Sequence, residues 1–455
     1  MILPVQMLEK IFSGSIVSGS KKGVFCMSKE EAVLRVGIVS DVQGYSQKYD
    51  WGMHNLERAF ALLAEKSPQV LINGGDLADN GQEDVYAYYK ALVHKYFAPH
   101  IPIHAACAGN HDYSLGRCED KEARYKAFCE GMDQKKEDPC HQVIGGFDFI
   151  TLSEDPLCKD RKSFYSPEIL AKLEECIQKA VSRDPDKFVF VITHFPPSGT
   201  MTGSRGDCCD ALRLLFNKYP QVFSISSHTH VPLEDERNLW QGEFTALQTA
   251  SLSYGCSDDR CYNMCNGILP YGREAVQCLY MEIFSDRVEI HRYNVEDARE
   301  IKKDSVWKVP YPYNAQTAPY NFERQAAKRS APYFVPGTQP YLRYDFGYLF
   351  LLFDQALHED FVHFYKVRLH AKEEDGSCRF LREERYIAPY YRLERNQDPR
   401  MVIRLPGDSL ESRKWYKAEI IAVESFGKES APLEMEFQNP CGGKLKDAAT
   451  SQPQE

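Results

Sequence analysis

Five short apolar runs in the first half of the chain each end in carboxylate, amide or imidazole side chains, and this pattern constrains the fold more than any other feature. Residues 34–40 lead into Asp41-Val42-Gln43, and residues 70–73 into Gly75-Asp76. Residues 101–108 lead into Gly109-Asn110-His111-Asp112, residues 188–193 into His194, and residues 222–226 into His228-Thr229-His230. Apolar runs of this length, bounded by turn residues, read as buried strands. Between the first two, Leu56, Phe60 and Leu63 recur at helical spacing with Glu57, Arg58 and Glu65 on other faces, and residues 168–181 repeat that pattern before the fourth. The alternation is that of an α/β fold. In an open α/β sheet the carboxyl ends of neighbouring strands share one rim, and ligands bind there. Residues 147–152 and 278–293 are also strand-like and are expected to build a second sheet.

Each piece alone is weak. A single His at a strand end is usually a satisfied polar residue, a Gly-Asp pair is usually a turn, and H-x-H is commonly a surface pair. The ordered set of five is what points to a site. Oxygen and imidazole donors without thiolates suit Mn²⁺, Fe, Zn²⁺ or Mg²⁺ and exclude copper(I) and iron–sulfur clusters.

With these motifs in place, the chain resembles the calcineurin-like metallophosphoesterase superfamily. That family carries D-x-H, GD-x-x, GNH[DE], a lone His and GH-x-H, each after a strand, and the match runs over roughly residues 34–295. The resemblance implies a two-sheet α/β/β/α sandwich and hydrolysis of phosphoester bonds by a hydroxide held between two divalent ions. Asp76 would bridge both ions. Asp41, Gln43 and His230 would complete the first position, and Asn110, His194 and His228 the second. His111 would act on the leaving group without binding metal, oriented by Asp79, with Asp112 a weaker candidate for that orienting role.

Two motif positions depart from the family. Ser227 stands where Gly is usual, and Gln43 stands where His is usual. An amide oxygen is a poorer donor than imidazole for zinc or iron, so the expected preference moves to Mn²⁺ or Mg²⁺. A D-x-Q first motif also occurs in the family's manganese-dependent ADP-ribose/CDP-alcohol diphosphatases, which suggests a nucleotide-like diphosphate or a diester. Asn80 replaces the phosphate-gripping Arg of phosphoprotein phosphatases, which argues against a protein phosphatase. The expected substrate is a small-molecule phosphodiester, phosphomonoester or nucleotide-type diphosphate. A nuclease of the same superfamily and a non-catalytic binding or scaffold protein with a weakened metal site are the alternatives. A formal net charge of −10 and the lack of a basic patch count against nucleic acid, and the intact GNHD and H-x-H count against a dead site.

At 455 residues the chain is too long for one core. The expected division is an N-terminal tail at 1–31, with Met27 a conceivable true start, and a catalytic domain at 32–306. A Pro-rich connector without regular elements follows at 307–341. Strict alternation at Tyr365, Val367, Leu369 and Ala371, and again at Tyr416, Ala418, Ile420 and Ala422, reads as a small all-β sandwich over 342–439. That module resembles fibronectin type III and would engage an unidentified protein or carbohydrate partner; a polar tail fills 440–455. Arg205, in the loop after His194, is a substrate-contact candidate, and equally a stray cation on a solvated loop. Residues 254–271 read either as a lid or as an insertion packed on the surface. Cys256, Cys261 and Cys265 lack zinc-site spacing. Fifteen cysteines without a regular framework fit a reduced, cytoplasmic protein, and no apolar run reaches the ~18–20 residues needed to span a membrane.

Overall fold

The parallel strands form where the sequence runs apolar on both faces, because both faces are covered. In β1, Leu34, Val36 and Ile38 point into one core and Val39 into another; in β2, Val70 and Ile72 oppose Leu71 in the same way. The computed structural model describes residues 31–46, 50–113, 120–155, 158, 164–205, 208–405 and 410–439. The tail expected at 440–455 and all but the last residue of that expected at 1–31 lie outside them.

In chain order the elements are β1 (Leu34–Val39), α1 (Trp51–Ala64), β2 (Val70–Asn73), α2 (Glu83–Phe97), β3 (Ile103–Ala106), α3 (Lys121–Gly131), β4 (Cys140–Ile144) and β5 (Phe147–Leu152). Next come α4 (Pro167–Arg183), β6 (Val189–Thr193), α5 (Asp210–Phe216), β7 (Val222–Ser226), β8 (Leu239–Gln241), β9 (Thr245–Gln248), β10 (Gln277–Ile283), β11 (Arg287–Asn294), β12 (Arg299–Ile301) and β13 (Trp307–Pro310). The remainder is α6 (Phe322–Lys328), β14 (Tyr341–Asp345), β15 (Tyr348–Asp354), β16 (Val362–Lys372), β17 (Cys378–Ile387), β18 (Arg400–Leu405), β19 (Trp415–Glu424) and β20 (Leu433–Gln438).

Two mixed sheets pack face to face. The first runs β12-β11-β10-β1-β2-β3, with β13 also paired to β11, and the second runs β4-β5-β6-β7-β9-β8. Val36, Ile38 and Ile72 of the first meet Phe149, Phe190 and Ile225 of the second in a shared core. The outer face of the first sheet is covered by α1, α2 and α3 through Phe60, Leu63, Tyr89 and Phe128. The outer face of the second is covered by α4 and α5 through Leu173, Ile177 and Leu212. The layers are α/β/β/α. Two all-antiparallel sheets follow, β14-β15-β18 and β17-β16-β19-β20, closed around Leu351, Tyr365, Val367, Ile403 and Ile420.

Three expectations need correction. The five ligand-bearing strands do not belong to one sheet: β1, β2 and β3 lie in the first and β6 and β7 in the second, so the site forms where two rims meet. Residues 278–293 are not one strand of a second sheet but the hairpin β10–β11, which extends the first sheet antiparallel to β1. The segment 307–341 is not free of regular structure. It contributes β13, whose Trp307 and Val309 are buried against β11, and the short helix α6. Pro310 closes β13, Pro340 immediately precedes β14, and the other prolines lie in the links between these pieces, where a missing N–H is tolerated.

Candidate metal centre

Within each rim, backbone hydrogen bonds tie together the loops that follow neighbouring strands. Asp41 N–H donates to the Gly75 carbonyl at 3.0 Å, Gln43 N–H to the Asp76 carbonyl at 2.8 Å, and Ser227 N–H to the His194 carbonyl at 3.0 Å. The strands end by reversing the backbone into the left-handed region at the motif residues themselves. Asp41, Gln43, Asp76, His228 and His230 have φ of 50°, 50°, 54°, 72° and 53°. Such conformations cost an L-residue about 1–3 kcal/mol each and persist only where surrounding contacts over-determine them. Their gathering at five of the seven expected ligands marks this rim as a site and not as ordinary turns.

Close approach is secured by glycine where it matters. A Cβ on Gly109 would lie 2.3 Å from Asp76 Oδ1 and 2.7 Å from His194 Nδ1. The unusual Ser227 is accommodated by Gly74, where a Cβ would lie 1.9 Å from the Ser227 hydroxyl; that hydroxyl accepts from Thr249 Oγ1 at 3.0 Å.

The side chains form two groups. In one, the fully buried His194 places Nε2 at 3.3 Å from Asp76 Oδ2, 3.0 Å from Asn110 Oδ1 and 3.2 Å from His228 Nδ1. In the other, His230 Nε2 lies 3.1 Å from Asp41 Oδ1. The remaining ring nitrogens explain what these distances mean. His194 Nδ1 lies 2.9 Å from the Gly74 carbonyl and His230 Nδ1 lies 3.1 Å from the Tyr254 carbonyl. A carbonyl can only accept, so each Nδ1 carries a proton and each ring turns its Nε2 toward carboxylate and amide oxygens. Nε2 and oxygen atoms converging at 3.0–3.3 Å are held together either by a cation among them or by a proton on Nε2. Donors about 2.1 Å from one ion lie about 3.0–3.4 Å apart. Asp41 Oδ1, buried and without a hydrogen bond, is the atom such an ion would satisfy. These residues fit divalent metal.

Electrostatics agree. Burial works to raise the Asp76 carboxyl, but the His194, His111 and His228 rings outweigh it and hold the group well below the carboxylate range. Burial works to lower His194, and the adjacent Asp76 charge reverses this and holds the ring above its ordinary value. The cluster holds positive charge, whether proton or metal.

His111 stands apart from both groups. Its N–H donates to Asp76 Oδ1 at 2.8 Å, its Nδ1 lies 2.8 Å from Asp79 Oδ1, and its Nε2 is 3.9 Å from Asp76 Oδ2. Asp112, the weaker candidate for orienting His111, does something else. It is buried, accepts from Ala78 N–H and Gly109 N–H at 3.0 Å each and from the Tyr86 hydroxyl at 2.9 Å, and so braces the loops from beneath. Burial and the Asp76 charge push its pKa up. Gln43 is half-buried, and its Oε1 accepts from the Ser253 hydroxyl at 3.1 Å, leaving one lone pair for a cation. Arg205 is exposed, and its charge is felt by Asp258. Cys256, Cys261 and Cys265 are free, and no described metal-ligand grouping includes them.

Several residues at this site carry no sequence motif. The Ser40 hydroxyl donates to Asp41 Oδ2 at 2.6 Å. Phe195 packs on His228 with centroids 4.6 Å apart, and Ser253 and Tyr254 hold Gln43 and His230. A Ser-rich stretch after a strand was the one visible signal for the last pair.

The sequence profile described as calcineurin-like phosphoesterase matches residues 34–232. No curated protein matches the chain. Among solved structures, purple acid phosphatase from yellow lupin (Lupinus luteus) is similar at 13% identity, covering 61% of this chain and 53% of that one, with a TM-score of 0.38. This chain thus spans about half the length of the lupin protein. A putative 5'-nucleotidase from Staphylococcus aureus is similar at 10% identity over 89% and 88% of the two chains, with a TM-score of 0.33. A predicted phosphoesterase from Streptococcus pneumoniae is similar at 10% identity over 61% and 97%, with a TM-score of 0.28.

Proposed function

Starting from a calcineurin-like phosphoesterase domain at residues 34–232, we propose that the protein hydrolyses phosphoester bonds of small molecules at a two-ion site. The observation that carries this reading is the convergence of the Nε2 atoms of two imidazoles on Asp76, Asn110 and Asp41 oxygens, with each ring locked from behind by a carbonyl. Asn110, His194 and His228 would hold one ion, Asp41, His230 and the spare lone pair of Gln43 would hold the other, and Asp76 would be shared. Two divalent ions held there would neutralise phosphoryl charge and lower the pKa of the attacking water. His111 keeps Nδ1–H on Asp79 and would pass a second proton, carried on Nε2, to the leaving oxygen as the P–O bond breaks.

The amide in place of an imidazole favours Mn²⁺ over zinc or iron. Substrates are phosphodiesters, phosphomonoesters or nucleotide-type diphosphates. The sheet orders β14-β15-β18 and β17-β16-β19-β20 support a fibronectin type III-like reading of the C-terminal module. Buried free thiols at Cys107 and Cys278 support a reducing compartment, and no helix among the described residues is long and apolar enough to cross a membrane.

Metal stripping, reloading with Mn²⁺, Mg²⁺, Zn²⁺ or Fe²⁺, and assay on mono-, di- and pyrophosphate esters test the proposal. Restored hydrolysis of at least one class is expected, strongest with Mn²⁺, and no turnover with any metal would sink it. Gln43→His should tighten one ion by about 10-fold and shift the activity optimum toward zinc or iron. An unchanged metal profile would mean that the Gln43 oxygen serves Ser253 alone.

A further inference from the structure

The segment between β9 and β10 touches the metal centre at one end and the C-terminal sheets at the other. At its inner end the Ser251 hydroxyl donates to the Asp41 carbonyl at 3.0 Å and the Ser253 hydroxyl to Gln43 Oε1 at 3.1 Å. The Tyr254 carbonyl accepts from His230 Nδ1 at 3.1 Å, and Cys256 N–H donates to the His230 carbonyl at 2.8 Å. All three residues assigned to the first ion are therefore held by this one stretch. The partner of a ligand's distal nitrogen fixes both its tautomer and its orientation.

The outer end is clamped to the β-module. Tyr262 N–H donates to the Arg385 carbonyl at 2.7 Å, and the Asn263 amide pairs with the Ile387 backbone, accepting at 2.9 Å and donating at 3.2 Å. Arg392 forks onto Glu274 at 2.7 and 3.3 Å and lies 4.1 Å over the Tyr271 ring. Cys261 and Leu269 are buried against Phe364, Ile387 and Val423 of the module. The two ends are joined by a short path. Gly255, next to Tyr254, donates to the Gly272 carbonyl at 2.9 Å and accepts from Leu269 N–H at 3.1 Å, and a Cβ on Gly272 would lie 2.8 Å from the Gly255 oxygen. The segment is thus neither a lid nor a surface insertion but a strap between the two parts.

We propose that docking of the C-terminal module on this strap sets the affinity of the ion position formed by Asp41, Gln43 and His230, by keeping the Tyr254 carbonyl on His230 and the Ser253 hydroxyl on Gln43. The inference rests on the two-ion reading above. It predicts an asymmetry, because at the other position His194 is held by the Gly74 carbonyl from within the catalytic sheets.

Calorimetric titration of Mn²⁺ into the metal-stripped full-length chain tests it. The wild type should bind in two steps. Arg392→Glu sets a like charge against Glu274 and should weaken one step by about 10-fold, the usual lower range for losing the support behind a ligand, while leaving the other unchanged. Ser253→Ala should weaken that same step. Adding Glu274→Arg to Arg392→Glu restores an ion pair of opposite sense and should recover the affinity, which a merely destabilised fold would not do. Two unchanged steps in Arg392→Glu, an equal loss in both steps, or no recovery in the charge swap would overturn the proposal. A wild-type chain that binds no Mn²⁺ would overturn the two-ion reading itself.

Discussion

Asp76→Ala should leave the chain unable to retain either ion. Asp76 is the carboxylate grouped with His194 and His228, and it is buried, with Oδ2 3.3 Å from His194 Nε2 and Oδ1 occupied by the His111 N–H. Deleting it removes the one negative charge shared between the two positions and leaves buried imidazoles facing a second cation without compensation. It also frees the His111 backbone from its anchor. Several kcal/mol of transition-state charge stabilisation go with the ions, so turnover should fall by about 10³-fold or more. Asp76→Asn keeps the shape and the Oδ1 acceptor, and should show the same metal loss with the fold intact. Elemental analysis of both purified variants decides the matter, and two ions per chain in either one would refute the assignment.

His111→Ala should act on chemistry alone. The ring belongs to neither donor group: Nδ1 is taken by Asp79 at 2.8 Å, and Nε2 stands 3.9 Å from Asp76 Oδ2. An imidazole that protonates a leaving oxygen contributes most where charge builds in the transition state, so kcat should drop by roughly 10²–10⁴-fold with metal content unchanged. The loss should shrink for nitrophenyl esters, whose leaving group needs little protonation. Asp79→Asn should give a milder version of the defect, since it misorients the ring without removing it. Loss of metal in His111→Ala would make His111 a ligand. Full activity on every substrate would move the acid role to a water, because Asp112 is buried beneath the loops and bonded to Ala78, Gly109 and Tyr86.

Much of this centre was legible in the sequence because its chemistry is tied to strand ends. A buried parallel strand announces itself as a short apolar run, and the residue that follows must lie on the rim. The positions of Asp41, Asp76, Asn110, His194, His228 and His230 on the rim follow from local pattern alone. So does the alternation in β16 and β19, since period two survives wherever one face of a sheet is buried and the other is wet.

What the sequence could not decide is which rims meet and what stands behind each ligand. The division of the five strands between two sheets depends on β10 pairing with β1 across some 240 residues of chain, a contact no local pattern encodes. Asp112 is next to His111 in the chain and Asp79 lies 32 residues before it. Only packing puts the first under three donors and the second on the ring. Ser253 and Tyr254 acquire their roles through a hydroxyl and a main-chain carbonyl, and a carbonyl is the same at every residue. It reaches His230 from a strap that a module following it in the chain clamps at Asn263 and Glu274. Local sequence determines which side chains reach the rim. Tertiary structure determines their protonation, their orientation and their company, because these depend on groups distant in the chain and close in space.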